Sequence, residues 1–80
     1  MVAYDYYRVA DEVCERLSLA GLESRASKIR DAIASGSTGT EILMTLRFEL
    51  KELSKERDRI PVDLNCKIQS LVEQIHTALS

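Results

Sequence analysis

Four successive stretches of this chain carry apolar residues at every third or fourth position, and three glycines and one proline punctuate its 80 residues. Residues three or four apart share one face of an α-helix, so this period constrains the fold before any single side chain is considered. In the first stretch, about 3–20, Tyr6, Val9, Ala10, Val13, Leu17 and Ala20 fall on one side, and Gly21 stands where a helix end favours a left-handed residue. The second, 22–35, turns Leu22, Ala26, Ile29 and Ile33 inward, and Gly36 is expected to close it in the same way.

The polar run Ser35-Gly36-Ser37-Thr38-Gly39-Thr40 reads as the main loop. Thr38 followed three residues later by Glu41 fits a capping box, so a third helix should begin there, covering 39–57 with Ile42, Leu43, Leu46, Leu50 and Leu53 inward. Pro61 disfavours helical geometry before it and commonly opens a new helix. The last stretch, 61–79, carries Asp63 in its first turn and Leu64, Ile68, Leu71, Val72, Ile75 and Leu79 on one face. No stretch alternates with period two, and no Asn-Gly or Asp-Gly hairpin signal occurs. The expected fold is all-α, one domain over 1–80, a small four-helix bundle in which short links make neighbours mostly antiparallel.

A content of 45% hydrophobic and 30% charged residues separates the chain from disordered tails and from membrane proteins. Its apolar runs are far shorter than the ~20 residues a spanning helix needs. The start, Met-Val-Ala-Tyr-Asp, lacks the basic, apolar and small-residue regions of a secretory signal, which leads to the expectation of a cytoplasmic protein with Cys14 and Cys66 as free thiols. A net charge of -2 argues against a protein built to neutralise phosphate.

Catalytic and metal chemistry find little support. His76 is the one histidine, and the cysteines show no C-x-x-C spacing, so no metal site, cofactor or catalytic residue is expected. His76 reads as a partly exposed boundary residue, because a nucleophile or base needs an oriented partner. The Gly36–Gly39 loop before a helix suggests an anion site, yet it lacks the lysine and preceding strand of a P-loop, and capping explains it well.

What remains is surface. Asp5, Asp11, Glu12 and Glu15 line the outer side of the first helix, as a solvated face or as an acidic docking surface. On the third helix Met44 and Phe48 lie four apart yet roughly opposite the leucine stripe, with Arg47 and Lys51 beside them. They are either covered by the first and fourth helices or the N-terminal tyrosines Tyr4, Tyr6 and Tyr7, or exposed as a binding or self-association face, since aromatic, methionine and arginine side chains are enriched at interfaces.

The segment Asp31-Ala-Ile-Ala-Ser-Gly-Ser-Thr-Gly-Thr-Glu-Ile-Leu-Met-Thr-Leu-Arg-Phe48 resembles a stretch of small helical bacterial proteins associated with immunity in polymorphic or contact-dependent toxin systems. The resemblance implies a non-enzymatic protein that neutralises a cognate toxin by binding and occluding it. Two other readings stay open. One is a small helical nucleic-acid-binding regulator, disfavoured because Glu49, Glu52, Glu56 and Asp58 interleave with the basic residues from Arg47 to Arg59. The other is a structural homodimer paired through Met44 and Phe48.

Overall fold

A computed structural model describes residues 4–36 and 38–80, so the expected helix start at Ala3 and the loop residue Ser37 lie outside the described residues. Among the described residues there are four α-helices and no strand: α1 Tyr6–Leu19, α2 Glu23–Ser35, α3 Gly39–Leu53 and α4 Val62–Leu79. They pack in a ring, α1 on α2, α2 on α3, α3 on α4 and α4 on α1.

The side-chain pairs between neighbours run in opposite sequence order, which fixes the directions. Along the α1–α4 seam, Tyr6 pairs with Gln74, Glu12 with Lys67 and Arg16 with Asp63. On the α1–α2 seam the Cys14 thiol donates to the Ala26 carbonyl at 3.6 Å, while Ser18 bonds Glu23. Both seams are therefore antiparallel, and the sequence expectation of a four-helix bundle holds.

The core is a single cluster. Leu17, Ile29, Leu46, Leu50, Leu53, Leu64, Ile68, Leu71 and Ile75 are at most 1% exposed, and Tyr6, Val9, Ile33, Leu43, Val72 and Leu79 pack against the cluster from its edge. No polar or charged residue is buried among the described residues. Specificity therefore comes from shape, caps and surface pairs.

Asp5 starts α1: its carboxylate accepts from the Arg8 backbone N–H at 3.1 Å, satisfying a donor the helix itself leaves open. The helix accordingly begins later than the periodicity suggested. At its other end Leu22 N–H reaches Leu17 C=O at 2.8 Å and Gly21 N–H reaches Ser18 C=O at 3.1 Å, with Gly21 at φ +82°. This is the Schellman arrangement, and the buried Leu17 and Leu22 supply its apolar contact. Ala20, expected inward, is exposed because it is the cap residue at this turn.

Gly36 departs from expectation. Its φ of -69° and ψ of 137° are extended, so Gly36 is not a left-handed closing residue for α2. Its small size serves a close approach instead, because a Cβ there would overlap Ile42 Cγ1, whereas a Cβ at Gly21 would meet open space. The two glycines should respond differently to substitution. Gly21→Ala is expected to cost about 1–2 kcal/mol through backbone strain, and Gly21→Asn less, since asparagine visits the left-handed region. Gly36→Ala is expected to cost about 1–3 kcal/mol through overpacking, with no relief from asparagine. Thermal melts of the four variants check the contrast.

Thr38 Oγ1 accepts from the Glu41 N–H at 3.1 Å, so α3 starts where the capping signal placed it. Its end differs. The α-helix stops at Leu53 and Ser54–Arg59 continue as a 3₁₀ segment, where a helix to Arg57 was expected. Ser54 Oγ donates to the Lys51 carbonyl at 2.6 Å, and Glu56 leaves helical geometry at φ -109°. This turn brings Glu56 within 2.7 Å of Arg25 on α2 and lets Ile60 sink to 5% exposure. Pro61 then precedes α4 at ψ 145°, and its carbonyl accepts from Asn65 N–H.

Cross-helix ion pairs make stability sensitive to acid. Hydrogen bonds from Lys67, Arg25 and Arg16 hold Glu12, Glu56 and Asp63 below the ordinary carboxylate range. A carboxyl that is more acidic in the folded chain adds stability above its unfolded value, and that contribution is lost as pH falls through the folded one. The melting temperature is therefore expected to begin falling near pH ~4, the unfolded carboxylate value. Glu56→Gln should lower it at neutral pH and make the acid-side fall shallower; equal slopes in the two proteins would refute the assignment.

Candidate interaction surface

Met44 and Phe48 stand on the outside of α3, 51% and 60% exposed, while Leu46, Leu50 and Leu53 on the same helix are buried. At about 100° per residue, Phe48 projects almost directly away from the core. Neither α1, α4 nor the tyrosines cover it. Tyr4 and Tyr6 instead stack edge-on at 5.0 Å against the core, and Tyr6 Oη donates to the Gln74 carbonyl at 3.5 Å. Burial raises the Tyr4 hydroxyl pKa.

Charge around the pair is uneven. Seven of the eleven cationic side chains, Arg8, Arg16, Arg25, Arg30, Lys55, Arg59 and Lys67, form ion pairs. Lys28, Arg47, Lys51 and Arg57 form none among the described residues. Two of those four, the half-buried Arg47 and the exposed Lys51, lie on α3 beside Met44 and Phe48. Lys51 also borders a shallow groove toward α4 with Val72, Glu73, His76 and Thr77. The patch is thus an apolar centre with two cations on its α4 side that form no ion pair among the described residues, Lys51 facing a groove that also holds Glu73.

The four acidic residues of the first helix separate into different roles. Asp5 caps the helix. Glu12 is held by Lys67 at 2.6 Å and approached by Arg8 at 3.7 Å. Asp11 and Glu15 are exposed and form no ion pair among the described residues. They share their side of α1 with Leu19, which is 88% exposed and was not singled out from the sequence. Its place four residues after Glu15, and two after the buried Leu17, is the signal that would have found it. α1 and α3 are not adjacent in the ring, so this acidic face and the Phe48 face belong to different, non-neighbouring helices.

Groups for chemistry are dispersed. Among the described residues no three of His, Cys, Asp and Glu come together as a metal would require. Cys14 is buried, its thiol pKa raised by desolvation, and Cys66 is exposed on α4; both are free. His76 is exposed. Gly36 and Thr38 serve close packing and capping. No helix of the described residues is long and apolar enough to cross a membrane.

A rigid helix presents two large apolar side chains that desolvate cheaply, beside cations able to orient a partner, the composition found at the centre of protein interfaces. No protein-family description, curated protein or solved structure matches this chain.

Proposed function

We propose that this protein works by binding another protein through the outer face of α3, and not by catalysis. The observation that carries the reading is the exposure of Met44 and Phe48 on the side of α3 opposite its buried leucines. Exposed apolar groups of this size, rimmed by charge, mark interaction sites on small domains. Phe48 is the anchor, Met44 the adaptable apolar neighbour, and Arg47 and Lys51 the groups that steer and align an acidic or mixed partner surface.

The sharper version is a cytoplasmic immunity protein that occludes a cognate bacterial toxin. It draws on the resemblance over residues 31–48, a segment that contains Met44, Arg47 and Phe48. Co-expression with a toxin encoded beside it tests this version. The wild-type chain should rescue growth and Phe48→Asp should not, while rescue by both proteins would exclude this face as the neutralising surface.

A further inference from the structure

We infer that the protein associates with itself head to tail, the α3 face of one copy docking on the α1 face of the next. The inference rests on the α3 reading for one of its two surfaces and adds the partner surface. On α3, Arg47 and Lys51 carry positive charge that no ion pair offsets, around the exposed Met44 and Phe48. On α1, Asp11 and Glu15 carry negative charge that no ion pair offsets, next to the exposed Leu19 and Tyr7.

The cations that flank the α1 face do not cancel it. Arg8 pairs with Glu12 and Arg30 with Glu23. Beside Leu19 a shallow depression is lined by Glu15, Ser18 and Leu19 together with Arg16 and Arg30, whose guanidiniums are engaged by Asp63 and Glu23, which leaves Glu15 as its one charge outside an ion pair among the described residues. Each face therefore offers apolar contact together with the charge the other lacks.

Symmetry follows from placement. A two-fold pair through α3 would share Phe48 but oppose Arg47 and Lys51 to a surface of the same composition, whereas docking on α1 opposes them to acids. Because every copy carries one face of each kind on different helices, a bound pair leaves one α1 face and one α3 face open. Such contacts are heterologous and extend instead of closing at a dimer. Each face is one helix wide, and narrow interfaces belong to the weak, transient class, so association is concentration-dependent.

Sedimentation velocity of the full chain from micromolar to millimolar concentration tests the inference. The weight-average mass should rise without a plateau at the dimer, and the rise should shrink in about 0.5 M salt, where exposed charges are screened over a few ångströms. Phe48→Asp and the double variant Asp11→Lys/Glu15→Lys, both confined to exposed positions and checked for helical content by circular dichroism, should each remain monomeric. Mixed in equal amounts they should form one-to-one dimers, because one supplies an intact α1 face and the other an intact α3 face.

A wild-type chain that stays monomeric throughout overturns the inference and leaves the α3 reading to its own rescue assay. Wild-type association with no complementation in the mixture overturns the head-to-tail arrangement while keeping α3 as an interface. Association that survives Phe48→Asp overturns both.

Discussion

Leu50→Ala is expected to lower the melting temperature by about 10–25 °C, as the truncation of a fully enclosed leucine in so small a core should. Leu50 is completely buried in the middle of α3, within the one core cluster to which all four helices contribute. Removing its terminal carbons forfeits their transfer free energy and leaves a cavity that the other residues of the cluster, among them Leu46 and Leu53 one turn away on the same helix, cannot collapse into without losing their own contacts. Such changes cost about 2–5 kcal/mol. An 80-residue domain has only about 4–12 kcal/mol in total, so the variant retains a small margin at best. Urea titration gives the size directly. A loss below about 1 kcal/mol would mean that the site relaxes as a surface position would.

Phe48→Asp, two residues away on the same helix, is expected to do the reverse: stability changes by no more than about 0.5 kcal/mol, while affinity for a partner docking on α3 falls at least ~30-fold. Phe48 is 60% exposed, so little of its burial is lost in the free protein. In a complex, the aspartate would replace an apolar anchor with a carboxylate that has to be desolvated. The pair of variants separates fold from function within one turn of helix. Calorimetric binding combined with a melt distinguishes them, and a Phe48→Asp protein that melts as early as Leu50→Ala would show that Phe48 belongs to the core.

Much of the architecture could be read from periodicity, because an apolar stripe repeating every three to four residues specifies both helix and buried face. Leu17, Ile29, Leu50, Ile68 and Ile75 are buried where the stripe put them. The end of α3 was less legible, since periodicity gives the direction of a side chain and says little about where hydrogen bonding stops. Ser54 was a local hint; the reach from Arg25 to Glu56 that accompanies the change of helix type joins residues 31 apart. Gly36 misled for a related reason: a glycine after a helix has two uses, and the overlap with Ile42 exists only in three dimensions. For the candidate surface, the sequence identified Met44 and Phe48 and left two coverings open. It grouped Asp5 and Glu12 with Asp11 and Glu15 because helix spacing cannot distinguish a capping or cross-helix carboxylate from an unengaged one.

The ring of helices also sets an order of assembly. Three of its seams join helices adjacent in sequence, and the Gly21 turn makes the first of them a near-local hairpin. Contacts of that kind close quickly, because little chain entropy is lost before they form. The α1–α4 seam alone must gather the two ends of the chain, and Glu12–Lys67 and Arg16–Asp63 span it. These pairs thus act where assembly is slowest: weakening them should show in the rate at which the ring opens, with the rate of initial collapse nearly unchanged.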